Sequence, residues 1–208
     1  PTAKTLEGYF NGNKITEITN TAKLTRNEDE LLTSDDEIVK IISKILGKNQ
    51  ESLGDGFLKW TIEYKPNEVD NKGSKYEIED IISDGLELRM NADGTLDLSN
   101  ISIKELTLEK DGSYSDGDSI TPELIKNVTY DTGERKLTFQ LIDNKKAYRF
   151  TYNTDVTAES GVKITNTATL FGMMAGGASD EKSYTVSQAD ASATINRSGW
   201  VQITKKNN

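Results

Sequence analysis

The sequence contains neither cysteine nor histidine, and these two absences remove much of the chemistry open to proteins. Without cysteine there are no disulfides, no thiolate nucleophiles and no cysteine metal sites. Without histidine there is no Ser-His-Asp triad, no His-ligated zinc and no imidazole acid or base. Any covalent stabilisation of this chain must therefore come from other residue types.

Apolar residues are also few, and acidic residues outnumber basic ones. Hydrophobic residues make up 34% of the 208 residues and aromatic residues 7%, which is low for a globular chain. The net charge of −9 makes nucleic acid a poor partner, because binding it needs a basic surface. The sequence has no apolar run of transmembrane length and no basic amphipathic stretch, so we expect no membrane insertion of this fragment.

The apolar residues that are present alternate with polar residues in short runs. This period-two pattern predicts strands with one buried face, and turn-forming residues separate the runs at 91–94, 111–117 and 131–133. We therefore predict an all-β sandwich, with helix limited to about one turn at Thr121–Ile125. The clearest predicted strands are Phe57–Lys65, Ser74–Ile81, Ile101–Lys110, Lys136–Ile142, Ala147–Val156 and Val162–Phe171.

Conflicting signals mark the segment Ser34–Gly47. Ser34 and Glu37 form a helix capping box, and Gly47 is a typical helix stop. The isoleucine and valine content of the same segment favours a strand. Local rules leave both structures open.

A repeat indicates the domain organisation. The sequence ITNTAKL at Ile18–Leu24 recurs as ITNTATL at Ile164–Leu170, an offset far beyond the period of any solenoid. We interpret the two copies as closing strands of tandem domains. The expected organisation is an N-terminal segment 1–36, which is the tail strand of a preceding repeat or an added strand, a sandwich domain 37–196, and a linker or first strand of a following domain at 197–208.

Three polar residues fall on the predicted buried faces. Asn166 shares its phase with Ile164 and Ala168, and Asp80 shares its phase with Tyr76. If the second half of Ser34–Gly47 is a strand, Lys44 also points inward. A buried ion pair with a satisfied Asn is one reading. The other is chemical: a desolvated lysine becomes a nucleophile, and a protonated carboxyl polarises the Asn amide, so that an amide cross-link forms and ammonia is released.

Three stretches carry a family resemblance: KWTIEY at Lys59–Tyr64, IEDIISDGL at Ile78–Leu86, and ITNTATL at Ile164–Leu170. Their order and spacing resemble the collagen-binding-type (Cna A-type) domains of Gram-positive surface adhesins. The resemblance spans roughly residues 37–196. It implies a variant immunoglobulin-like β-sandwich and, as in many members, an autocatalytic Lys–Asn isopeptide bond promoted by a buried Asp.

The resemblance also assigns roles to residues. It implies that Asn166 is the acceptor and Asp80 the proton shuttle, and that the lysine lies on the strand before Lys59–Tyr64. Lys44 fits that position best and Lys40 is the alternative, whereas Lys48 lies too near the expected turn. The second half of Ser34–Gly47 is then a strand.

The function implied is structural or adhesive. We expect a stalk or host-matrix adhesion module of a larger, extracellular, cell-wall-anchored protein, with neighbouring domains of the same chain as partners. No cofactor is needed, and the only reaction is one self-modification. The alternatives are a module that binds collagen or another extracellular matrix protein and, third, a carbohydrate-active enzyme domain.

Other sites are weaker. Acidic loops at Asn91–Asp97 and Asp111–Asp118 contain oxygen ligands suited to calcium but lack the full EF-hand pattern. The carboxylate pairs Asp35–Asp36 and Glu77–Glu79 are typical of a solvated strand face more than of a glycosidase. A Thr–Gln ester cross-link would call for a nearby histidine, which the chain lacks.

Overall fold

A computed structural model describes most of the chain. The chain divides into two compact units, Pro1–Ile45 and Leu46–Asn208. The residues described are 14–20, 23–26, 29–33, 37–66, 73–109, 113–121, 125–173 and 177–191.

The first unit contains two antiparallel strand pairs. In one, the first strand pairs with the fourth, so that Ile18 lies opposite Val39. In the other, the second strand pairs with the third. The strands are β1 (Lys14–Asn20), β2 (Lys23–Arg26), β3 (Asp29–Thr33) and β4 (Glu37–Ser43).

The second unit is built from two larger antiparallel sheets. Its strands are β5 (Leu46–Gly54), β6 (Phe57–Tyr64), β7 (Gly73–Ile81), β8 (Leu86–Leu88), β9 (Ile101–Leu108), β10 (Tyr114–Ser119), β11 (Val128–Asp131), β12 (Lys136–Gln140), β13 (Ala147–Val156), β14 (Lys163–Met173) and β15 (Ala178–Thr185). One sheet has the order β10-β9-β13-β6-β5, with β8 added beside β13, and the other has the order β11-β12-β7-β14-β15.

These two sheets pack face to face because alternate residues of each strand are apolar. In β6, β13 and β14 every second residue is buried, which is the signature of a strand with one face in a core. Aromatic rings meet across the interface: Phe139 of one sheet lies 4.8 Å from Phe150 of the other, and Tyr64 lies 6.2 Å from Tyr76. The predicted all-β, immunoglobulin-like sandwich is confirmed at the level of these two packed antiparallel sheets.

The predicted strands are present. All six have counterparts among β6, β7, β9, β12, β13 and β14, with ends that differ by at most two residues. The described part of the ambiguous segment, 37–47, is extended and not helical: β4 occupies Glu37–Ser43, and β5 begins at Leu46. The predicted helical turn at Thr121–Ile125 lies largely in 122–124, outside the described residues, and a short 3₁₀ turn follows at Ile125–Asn127.

A tight turn after β7 fixes where that strand ends. Gly85 has a φ of +84°, and a Cβ there would lie 2.6 Å from the Cβ of Ala158, so only glycine fits without strain. The Arg135 side chain donates to the backbone carbonyls of Ile82 at 2.9 Å and Ser83 at 3.0 Å, and also to that of Leu86. This clamp holds the turn against β12 and so fixes the end of β7 that carries Asp80.

The two copies of the repeat occupy different settings. The second, Ile164–Leu170, lies within β14. The first runs from the end of β1 to the start of β2, and its residues 21 and 22 fall outside the described part of the chain. The expected domain limits at 37 and 196 stay predictions; the compact unit that contains both large sheets begins at Leu46.

Candidate functional site

A lysine, an aspartate and an asparagine come together in the core of the sandwich. Lys48 lies on β5, an edge strand of the six-stranded sheet, while Asp80 and Asn166 lie on the neighbouring strands β7 and β14 of the other sheet. Asp80 pairs with Ala168, so Asn166 stands two residues away on the same inward face. All three are buried: Lys48 is 3% exposed, and Asp80 and Asn166 are 0% exposed.

Tyr152 of β13 completes the cluster. The Lys48 ammonium donates to Asp80 Oδ2 in a close ion pair. The Tyr152 hydroxyl donates to the same oxygen at 2.6 Å. It accepts from Asn166 Nδ2 at 2.9 Å and from Lys48 Nζ at 3.3 Å. One hydroxyl is therefore hydrogen-bonded to all three of the other side chains.

Aromatic rings enclose the lysine. Its Nζ lies 5.0 Å from the ring centroid of Trp60 and 5.7 Å from that of Tyr152. Trp60 is held in place because its indole nitrogen donates to Thr154 Oγ1 at 2.9 Å. Such surroundings supply little solvation for a charge. The cation–π attraction offsets only part of that loss.

Burial moves the proton equilibria of the pair towards the neutral forms. Loss of solvation lowers the pKa of the Lys48 ammonium, although the attraction of Asp80 opposes this. Loss of solvation also raises the pKa of the Asp80 carboxyl, against the opposing effects of Lys48 and Tyr152. Burial raises the pKa of Tyr152 well above its ordinary value, so its hydroxyl keeps its proton. A neutral amine beside a protonated carboxyl is thus an accessible state of the site.

Two buried oxygens in the cluster accept no hydrogen bond. Within the described residues, Asp80 Oδ1 and Asn166 Oδ1 are the buried side-chain polar atoms without a partner. A stable buried ion pair is expected to satisfy its remaining lone pairs, since each unpaired buried acceptor costs about 1–3 kcal/mol. A protonated Asp80 carboxyl would have an O–H group that can donate a hydrogen bond, whereas the Asp80 carboxylate can only accept.

The sequence-based expectation for the lysine needs correction. Lys44 is exposed and lies in the first unit, after β4, so it is not the buried lysine. The side chain of Lys40, the alternative, is outside the described part of the chain. The buried lysine is Lys48, which has the same alternation phase as Lys44. The assumed turn at Gly47 does not exist, because β5 runs without a break through Gly47 to Gly54.

Two further residues at the site were not predicted. Tyr152 could have been found, because it lies in the inward phase of the predicted strand Ala147–Val156. Asp180 of β15 carried no sequence signal. Its carboxylate accepts from the Lys48 backbone N–H at 2.6 Å, which satisfies a donor of edge strand β5. Asp180 thereby ties the lysine-bearing strand to the edge of the opposite sheet.

The acidic loops show ordinary turn chemistry in their described parts. Asp93 accepts from the Thr95 backbone N–H at 3.0 Å, and Asp97 accepts from that of Ser99 at 3.0 Å. Among the residues described, no group of three or more His, Cys, Asp or Glu is arranged to hold a metal. Glu77 and Glu79 lie on the outward face of β7, whereas the pair Asp35–Asp36 lies outside the described residues.

Comparisons with known proteins give structural neighbours alone. No family model matches the chain, and no curated protein matches it. A collagen-binding domain from a Staphylococcus aureus adhesin matches at a TM-score of 0.47 and 20% identity, over 70% of this chain and 100% of that one. The collagen-binding domain of the Erysipelothrix rhusiopathiae surface protein RspB matches at 0.44 and 15% identity, over 85% and 57%. BcpA, the major pilin subunit of Bacillus cereus, matches at 0.42 and 15% identity, over 81% and 47%.

The structural neighbours are thus collagen-binding, adhesin and pilin domains of surface proteins. In the part of the chain that the structure describes, no helix has the length and apolar character to cross a membrane.

Proposed function

We propose that this chain is a structural or adhesive module of a bacterial surface protein, stabilised by an amide bond that it forms between its own Lys48 and Asn166. The observation that carries the proposal is the buried cluster in which a desolvated lysine, a carboxyl of raised pKa and an asparagine with an unpaired carbonyl oxygen meet. The module turns over no external substrate. It performs one reaction on itself and needs no cofactor.

The reaction balances without an added reactant. The neutral Lys48 amine attacks Cγ of Asn166, and a new carbon–nitrogen bond forms. Asp80 donates its proton to Oδ1 of Asn166 as the tetrahedral intermediate forms, and it takes the proton back when the carbonyl reforms. The bond from Cγ to Nδ2 breaks, and one proton from the amine leaves with that nitrogen as ammonia. The low-dielectric site favours the neutral reactants and the neutral product.

The bond would join the two sheets. Lys48 belongs to the six-stranded sheet and Asn166 to the five-stranded sheet, so a covalent link crosses the interface between them. It would close a loop of more than 100 residues, for which the chain-entropy model gives roughly 5 kcal/mol of stabilisation, as for a disulfide. A pulling force along the chain would then be carried by a covalent bond and not by the hydrogen bonds between strands. This suits a stalk or an adhesion module.

Intact mass under denaturing conditions tests the proposal. The purified chain is expected to weigh less than its sequence by one ammonia, and fragmentation should find a branched peptide joining Lys48 to Asn166. Ammonia is also lost when an Asn–Gly sequence cyclises, and the chain has one at Asn11–Gly12. Lys48→Met must therefore restore the full mass. Lys44→Met is the matched control and should keep the deficit. A wild-type chain of full mass would refute the cross-link.

A second candidate function is ligand binding on the outer face of the six-stranded sheet. A groove of about 480 Å³ lies there, lined by polar and charged side chains that include Lys59, Glu63, Lys104, Asp116 and Arg149. Opposite charges pair within it: Arg149 lies 2.6 Å from Glu63, and Lys104 lies 2.8 Å from Asp116. A triple-helical collagen peptide is the ligand to test, by titration against the folded chain. Saturable binding that Arg149→Ala weakens would favour this function. Absence of binding would indicate a structural spacer module.

A further inference from the structure

The Tyr152 hydroxyl is the one group in the cluster that contacts both the nitrogen that would attack and the nitrogen that would leave. It lies 3.3 Å from Lys48 Nζ and 2.9 Å from Asn166 Nδ2. Asp80 is bonded to Lys48 and Tyr152, and no hydrogen bond joins it to Asn166 in the described structure. Within the part of the chain that the structure describes, the Asn166 side-chain amide makes one hydrogen bond, which it donates to Tyr152.

Packing fixes this hydroxyl in place. Tyr152 lies in the middle of the six-stranded sheet, paired with Trp60 of β6 on one side and Ile101 of β9 on the other. Its side chain is 1% exposed, and its ring lies 6.4 Å from that of Phe139 in the opposite sheet. Because it donates to Asp80 and accepts from two nitrogens, its proton and both lone pairs are in use. Packing therefore holds the oxygen within hydrogen-bond distance of both nitrogens, and only the O–H bond must turn from Asp80 towards Nδ2 before a proton can pass.

We propose, on the basis of the cross-linking reaction above, that Tyr152 is a catalytic residue that relays a proton from Lys48 to the departing nitrogen of Asn166. When Nζ bonds to Cγ, it becomes acidic and gives one proton to the Tyr152 oxygen. Tyr152 gives its own proton to Nδ2, which has become a basic amine in the tetrahedral intermediate. The hydrogen bond between Nδ2 and the hydroxyl reverses its direction, and ammonia leaves. Tyr152 returns to its neutral hydroxyl form, and Asp80 exchanges a proton only with the carbonyl oxygen of Asn166.

The relay is tested with a full-length chain that has never folded. A chain assembled by peptide ligation and kept in guanidinium has had no opportunity to react, so dilution sets the start of the reaction. Samples quenched in acid then give the fraction that has lost ammonia, and tryptophan fluorescence gives the rate of folding. Three chains are compared: wild type, Tyr152→Phe, and the matched control Tyr148→Phe, which removes a hydroxyl from another buried tyrosine of the same strand.

We expect Tyr152→Phe to fold at the wild-type rate but to lose ammonia at least about a hundredfold more slowly, the lower end of the range for a lost acid–base group. Tyr148→Phe should match wild type in both respects. If wild type loses no ammonia, the proposed function itself fails. If wild type reacts and Tyr152→Phe reacts equally fast, the cross-link stands and the relay is wrong.

A second variant separates proton transfer from positioning. A ring-fluorinated tyrosine at position 152 keeps the hydroxyl and its contacts but makes the phenol more acidic. It is expected to change the rate of ammonia loss and its dependence on pH, whereas the same replacement at position 148 should change neither. An unchanged rate at position 152 would overturn the relay, including in the event that Tyr152→Phe fails to fold.

Discussion

Lys48 and Asn166 lie on opposite sheets of the sandwich, yet both are hydrogen-bonded to the hydroxyl of Tyr152. This shared partner places the two side chains in one buried site although they are far apart in the chain. Asp80 is bonded to that hydroxyl as well. The site therefore depends on four strands, β5, β7, β13 and β14, and each prediction below changes one part of it or of its support.

Asp80→Asn should prevent the cross-link. The amide is close in size to the carboxyl but cannot lend a proton to the Asn166 oxygen, so the purified variant should retain its full mass. Asp84→Asn, in the exposed turn that follows, is the control and should still lose ammonia. An Asp80→Asn chain that shows the same mass deficit as wild type would exclude Asp80 as the acid.

The rate of ammonia loss during refolding should peak at an intermediate pH. The reactive form holds Lys48 neutral and Asp80 protonated, and burial favours both by lowering the pKa of the lysine and raising that of the aspartate. Below the pKa of Lys48 the amine is protonated and cannot attack. Above the pKa of Asp80 the carboxyl has no proton to lend. A bell-shaped profile is expected, whereas a rate that rises steadily into alkali would indicate an amine acting without an acid.

Loss of the cross-link should lower the stability of the fold. Asn166→Ala and Lys48→Met both remove the bond, and the chain-entropy model gives a loss of roughly 5 kcal/mol for a loop of this length. Urea unfolding followed by tryptophan fluorescence measures it. Lys44→Met keeps the bond and should unfold like wild type. If the two cross-link variants unfold at the wild-type midpoint, the bond does not stabilise the fold.

Gly85→Ala should destabilise the domain more than Gly94→Ala. Both glycines have positive φ, +84° and +81°, so the backbone cost is similar. A Cβ at position 85 would lie 2.6 Å from Ala158, while position 94 has open space around it. We expect an extra loss of about 1–3 kcal/mol at position 85, the usual cost of overpacking. Equal thermal shifts for the two variants would contradict the steric argument.

The sequence predicted the central strands well and the edge strands poorly. The predicted strands β6, β7, β9, β12, β13 and β14 are the inner strands of their sheets, where alternate apolar residues enter the core. The strands that were missed in whole or in part include all four edge strands of the two large sheets, β5, β10, β11 and β15. An edge strand such as Tyr114–Ser119 has no buried residue, so it lacks the periodic signal.

The same difference between inner and edge strands explains which residues of the candidate site were predicted from the sequence. Asp80 and Asn166 lie on inner strands, and their phase predicted their burial correctly. Lys48 lies on edge strand β5, in which the next four residues, 49–52, are polar and more exposed. Nothing apolar indicates that the strand continues past Gly47, so the sequence placed the lysine four residues too early. Tyr152 had the correct phase, but its contact with three polar groups depends on how the two sheets are positioned.

If the proposed cross-link forms, the dependence of the site on four strands would also make the reaction a record of assembly. Among the described strands of their unit, the lysine lies on the first and the asparagine on the next-to-last, so a chain in which either end of that range is unfolded cannot bring them together. On this proposal a molecule would react only with both sheets packed, and once cross-linked it could not exchange strand β5 with another copy of itself. The mass of each chain would then report whether that chain had ever reached its native state.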